Sequence, residues 1–395
     1  MRKLMLFFVC ISLFCFYGKS QISIHTNQVE RFHDLMRYSE EKAGGKLNCK
    51  RANEVELQVI FDKNANDSRL NALIDSLLNT SVLYSPEVIK NVSIRQLKEA
   101  KGKEAYRIAL TIFPDFCMDI TAGMTSIWMD YWNSEYRYRT DNIVTQLKTN
   151  KNELIEIIET ECKALLPDGA DMNIEINIHI IVDGNRGSFQ FDNNAMMDMA
   201  FGDFGDFSVF VNVLKHEMHH AYYGKWLAEK MSNKERNEIE NYFYEFQKSF
   251  LFEGIAQRYT HKDLSAEVKQ MYANKELITE LFDEWISLIR EVKGNSPLEA
   301  FSTYQNNEFD SAVERLKKYY PGNKDSIEYP HRPNFTYYLS YNIYNSIFES
   351  GGQEKLKYVI ENPDKLLLVY NELHTNSAVV PKIPNDIVML WQENF

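Results

Sequence analysis

The chain has 395 residues, 44% of them hydrophobic and 13% aromatic, with a formal charge of −12. Its 24 Phe and 23 Tyr speak against disorder, and the acidic balance speaks against nucleic acid, which needs a basic footprint. The length exceeds what one core usually supports and suggests two or three lobes.

The first element is a leader. Arg2 and Lys3 precede an apolar run of 14 residues, Leu4 to Tyr17, followed by Gly18-Lys19-Ser20. A basic start, a short apolar core and a small-x-small end read as a signal peptide cleaved after Ser20. A spanning helix needs ~20 apolar residues, so the mature chain is expected to be secreted or periplasmic, without a stable membrane span. Phe14, directly before Cys15, argues against a lipid anchor there. Cleavage leaves Cys49, Cys117 and Cys162. Their odd number and wide spacing disfavour a disulfide framework, though a single bridge stays open.

Helical patterns follow at 26–43, ended by Gly44-Gly45, and at 66–79, 84–99, 104–112, 118–150 and 151–166. Residues 54–61 suit either a short strand or a helix start. At 174–180 the pattern changes. Ile174, Ile176, Ile178 and Ile180 alternate with Glu175, Asn177 and His179, the period of a half-buried strand. Turn residues at 183–187 and short strands at 188–191 and 195–201 complete an expected small antiparallel sheet. The segment 195–199 is a candidate edge for an extended substrate. A long helix should start near Asp206 or Ser208 and run to Met231. Further helices are expected at 233–260, 264–293, 297–318, 335–349, 353–360 and 364–375. The fold class is therefore mainly α (α+β), with a small central antiparallel sheet.

The chemistry gathers on the helix that carries His216-Glu217-Met218-His219-His220. Residues four apart on a helix lie about 40° from one another, so His216 and His220 project from one face. Glu217 lies about 60° from His220, near enough to act on a water beside a metal without replacing a ligand. Burying this trio without a cation would be costly, and a zinc ion removes most of that cost. Pairing His216 with His219 instead would turn Glu217 away, so His219 is taken as a flanking residue. A catalytic zinc needs a third protein ligand and an open position. Tyr223 and Trp226 stand where a metzincin motif would have Gly and His. Glu253, in Phe250-Leu251-Phe252-Glu253-Gly254-Ile255-Ala256, is the best third ligand, because a carboxylate in an apolar run needs a buried partner. Glu229, Glu240 and Glu245 sit in polar surroundings.

His216-Glu217-Met218-His219-His220 followed by Glu253-Gly254-Ile255-Ala256 resembles the gluzincin metallopeptidases. More narrowly, it is similar to a family of zinc-dependent peptidases known mainly as an uncharacterised bacterial domain. The resemblance covers roughly 150–375. Pro333-Asn334-Phe335-Thr336-Tyr337-Tyr338-Leu339 resembles a stretch that often reads Gly-Tyr-Tyr-Met, with Thr336 replacing the Gly and Leu339 the Met. Residues 21–150 carry no recognised motif.

The resemblance implies a zincin-like core with the active-site helix packed below the sheet. It implies one Zn2+ held by His216, His220 and Glu253, Glu217 as general base, and an oxyanion donor from a later element. Tyr338 is preferred as that donor over Tyr337 and His331. The expected function is a zinc metallopeptidase acting on peptides or proteins. The alternatives are a non-catalytic surface protein with a structural metal site and a zinc hydrolase of a non-peptide amide. The expected organisation is a signal peptide at 1–20, a helical region at 21–150, a catalytic core at 151–270 and a C-terminal helical lobe at 271–395 that completes the cleft.

Overall fold

The computed structural model describes residues 21–47, 54–80, 102–112, 124–184, 188–191, 193–200, 204–232, 234–293, 304, 310–321 and 333–395. The expected leader, the expected helix at 84–99, His331, Cys49 and Cys117 lie outside the described residues.

The chain opens with a strand, β1 (Gln21–His25). Helices α1 (Asn27–Ala43), α2 (Glu54–Ala65), α3 (Ser68–Leu78), α4 (Gly102–Ile112), α5 (Met124–Asn133), α6 (Tyr136–Thr149) and α7 (Lys151–Ala164) follow. In α1, Val29, Phe32, Leu35 and Met36 recur at helical spacing and are buried. Gly44 ends it in the left-handed region, φ +73°, with its N–H on the Glu41 carbonyl. Strands β2 (Glu175–Ile181), β3 (Phe189–Phe191) and β4 (Asn194–Asp198) come next, ahead of the two longest helices near the site, α8 (Phe207–Met231) and α9 (Glu238–Thr260).

The sheet has the order β1-β2-β4-β3. β1 pairs parallel to β2, with Ile22 opposite Ile176 and Ile24 opposite Ile178. β2 pairs parallel to β4, and only β3 runs antiparallel to β4. The sheet is thus mixed, which corrects the antiparallel expectation. β2 does not pair with β3, its successor in the chain. The hairpin closes one turn later, between β3 and β4, and that returns β4 to β2 in the parallel sense. The β1 to β2 crossover runs through α1 to α7, the long connection that parallel strands require. β4 is paired on both sides, so 195–199 is not an edge; β3 is.

Asp206 caps α8 through Oδ1, which accepts the N–H of Ser208 at 2.8 Å and of Val209 at 3.1 Å. α8 is sunk between layers. It packs on β3 and β4, on α7 and on α9, and 214–223 are buried throughout. Lys215, inside this stretch, reaches Glu161 of α7 at 2.6 Å. α9 starts at a capping box made by Asn237 and Glu240 and runs unbroken.

Beyond α9, the expected helix at 264–293 is two: α10 (Ala266–Tyr272) and α11 (Lys275–Lys293). Asn274 breaks it, because its side chain accepts the N–H of Glu276 and of Leu277. Residues 310–319 are helical. A π-helical turn at Phe335–Leu339 leads into α12 (Ser340–Glu361), which joins the expected helices at 335–349 and 353–360 across a kink at Gly352. α13 (Leu366–Leu373) and α14 (Asn385–Asn394) close the chain. The mainly α class with a small sheet holds. Among the described residues no helix is long and apolar enough to cross a membrane.

Candidate metal centre

The site forms where α8 and α9 lie side by side, with the π turn against α9. His216 and His220 present their rings one turn apart on α8, with centroids 4.7 Å apart and planes at 87°. Glu253 of α9 meets both. Its Oε2 lies 3.1 Å from His216 Nε2 and its Oε1 lies 3.4 Å from His220 Nε2. Gly254, next in sequence, lets α9 approach α12. A Cβ there would stand 2.6 Å from Tyr344 Cδ2 and 2.9 Å from Ser340 Cβ.

The donor set fits a zinc ion. One ligand atom from each of His216, His220 and Glu253 lies within 4.8 Å of the others. Tetrahedral bonds of about 2.0–2.1 Å set ligand atoms roughly 3.3 Å apart, against the 3.1 and 3.4 Å found here. Glu253 Oε2 is buried with no aligned hydrogen-bond donor, the condition that a cation relieves.

Electrostatics tie the three together. Burial pushes Glu253 up, but His220 and His216, with a hydrogen bond from the Tyr337 hydroxyl, outweigh it and hold the carboxyl below its usual range. Burial pushes His216 down, and Glu253 more than reverses this. His220 falls to about 4 through burial, opposed by Glu253 and helped by the charge on His216. Glu217 is buried beside its neighbours. Burial raises its carboxyl to about 7, with His216 lowering and Glu253 raising it. Such a value suits a proton acceptor near neutrality.

The remaining candidates separate. His219 is not part of the cluster formed by His216, His220 and Glu253. It is fully buried, its ring stacks on Tyr223, and its Nδ1 lies 3.5 Å from the Tyr259 hydroxyl. Tyr338 packs face to face with Tyr272, ring centroids 3.9 Å apart. Tyr337 is the tyrosine of the π turn whose hydroxyl reaches Glu253. Tyr272 was not singled out in the sequence, where nothing in its helical surroundings marks it, yet its ring backs Tyr338 and feels the charge of Glu253. Cys162 is a free thiol, wholly buried and pushed up to about 12 by that burial, which suits packing rather than reaction.

Comparison with known proteins bears directly on this geometry. Residues 88–378 match the model of a family described as "Putative zinc dependent peptidase (DUF5700)". The chain belongs to that family. The match takes in His216, His220 and Glu253 and the π turn, and it starts well before the motif-bearing region, inside the N-terminal helical region. Family membership carries zinc dependence and a peptidase activity at that coarse level. No curated protein and no solved structure matches the chain.

Proposed function

We propose that the chain is a gluzincin-like metallopeptidase that holds one Zn2+ through His216, His220 and Glu253 and hydrolyses peptide bonds with Glu217 as general base. The observation that carries this reading is the Glu253 carboxylate lying between two Nε2 atoms at 3.1 and 3.4 Å. When bound, zinc supplies Lewis acidity that makes water acidic enough to yield its proton near neutral pH. Glu217, one residue from His216 and raised to about 7, takes that proton and returns it to the leaving amine. A tyrosine hydroxyl stabilises the oxyanion. We take Tyr337 for this part ahead of Tyr338, because its hydroxyl already lies at the Glu253 carboxylate. An extended peptide would lie along β3, the sheet edge that packs on α8. The leader extends the proposal to export from the cytoplasm, which N-terminal sequencing of the exported chain tests by a start at Gln21.

The decisive experiment sets wild type beside Glu217→Gln, with bound zinc and cleavage of unfolded protein substrates measured on both. Both should carry zinc and only the wild type should cleave. A zinc-loaded wild type inactive on a broad peptide library would overturn the peptidase reading.

A further inference from the structure

A cavity of about 420 Å³ opens beside Tyr272. That volume is in the range of small-molecule sites. α10, α12 and α13 enclose it, together with the segment after α13, and none of His216, Glu217, His220 or Glu253 lines it.

Its lining divides into an aromatic wall, a polar stripe and an apolar end. The wall is His261 stacked on Tyr341 at 4.2 Å, with Tyr272 edge-on to both. The stripe is one face of α12, where Asn342, Asn345, Ser346 and Glu349 recur at helical spacing. Leu373 and Val379 supply apolar surface.

The charges decide what fits. Glu349, in the polar stripe, accepts a hydrogen bond from Asn345, which in turn accepts one from Arg258, and the charges of Glu349 and Arg258 offset each other across that amide. His261 is driven down to about 4 by burial, helped by Lys269 and Arg258, and is neutral at ordinary pH. Lys269 is different. It is half-buried in the lining, and its ammonium meets only the Lys262 backbone carbonyl, with no carboxylate among the described residues. The Tyr341 hydroxyl, on a residue 9% exposed, likewise has no hydrogen-bond partner there. The cavity therefore holds one uncompensated cation, one idle hydroxyl donor, a flat aromatic wall and an apolar end.

We infer that this cavity is a second ligand site, and that it takes a small organic monocarboxylate with an aromatic or aliphatic body. The carboxylate lies against Lys269 and the Tyr341 hydroxyl, and the body lies against the aromatic wall and Leu373. A ligand seated there touches Tyr272, whose ring also stacks on Tyr338 of the π turn, the turn whose Tyr337 hydroxyl reaches Glu253.

Hydrocinnamate and its neutral amide, hydrocinnamamide, are suitable probes. Each is titrated by calorimetry into the full chain, once metal-free and once loaded with zinc. Saturable binding of the acid is expected in both forms, with the amide roughly tenfold weaker or more, the share of one charge-assisted hydrogen bond. Lys269→Met should weaken the acid to the level of the amide without changing zinc content. Tyr341→Phe should weaken it by a smaller factor. Equal binding of acid and amide overturns the inference. So does unchanged binding by Lys269→Met, binding that needs zinc, or no saturable binding at all. Because the metal-free chain is read, a chain without peptidase activity leaves this result standing, and the two readings fail separately.

Discussion

At the scale of single residues, the centre depends on Glu253 being the carboxylate that α9 brings to α8. Glu253→Ala should remove bound zinc, whereas Glu229→Ala, about two and a half turns beyond His220 on an exposed stretch of α8, should keep it; metal content after dialysis reads both. Loss of zinc in neither variant would displace Glu253 as a ligand. The two neighbouring tyrosines make a sharper pair. Tyr337→Phe is expected to lower kcat by about 10²-fold, the usual cost of one oxyanion donor, with zinc still bound at excess metal. Tyr338→Phe should cost far less, since its ring serves the stack on Tyr272. The reverse order in kcat would give the donor's part to Tyr338. His216, Glu217 and His220 were legible in the sequence because their geometry is local, fixed by one turn of one helix. Glu253 was legible for a different reason, a charge inside an apolar run. The approach of the Tyr337 hydroxyl to Glu253 was not, because a π turn carries an extra residue and shifts the phase that periodicity assumes.

At the scale of elements, the close approach of α9 and α12 is the contact most sensitive to volume. Gly254→Ala would place a methyl group inside van der Waals distance of Tyr344 and Ser340. The expected loss is about 1–3 kcal/mol of stability, less whatever the gain in helix propensity returns. Urea denaturation of the metal-free chain measures it, and an unchanged midpoint would mean that Tyr344 swings aside. Long helices with caps, such as α8 behind Asp206, were read to within a residue or two. The sheet was read less well. β1 is five residues, Gln-Ile-Ser-Ile-His, and nothing local announces that its partner lies beyond the seven described helices α1 to α7. β4 lies parallel to β2 because the hairpin joins β3 to β4, a pairing that the turn residues of the sequence do not single out.

At the scale of the whole molecule, the N-terminal helices are tied by a polar joint at Asp67. Its carboxylate caps α3 at the N–H of Leu70 and also takes bonds from Tyr38 and Lys42 of α1. Burial pushes the carboxyl up, but these bonds win and bring it to about 2. The folded value is thus below the unfolded one. The stabilisation is complete above about pH 4 and is lost as pH falls through about 2. Asp67→Asn should therefore flatten the fall in stability over that acid range, measured by urea midpoints at each pH. A parallel fall in mutant and wild type would show that other carboxylates govern the acid limb.

The pairing of β1 with β2 also sets a timetable for synthesis. Gln21 finds its partner Glu175 only after the intervening chain has been made. At about 5–20 residues per second that is a wait of roughly ten to thirty seconds, during which Ile22 and Ile24 have no strand to lie beside. The sheet under the metal-binding helix is therefore finished by the earliest strand to emerge and one of the later ones. A chain released or cut before residue 181 would carry β1 with nothing to complete.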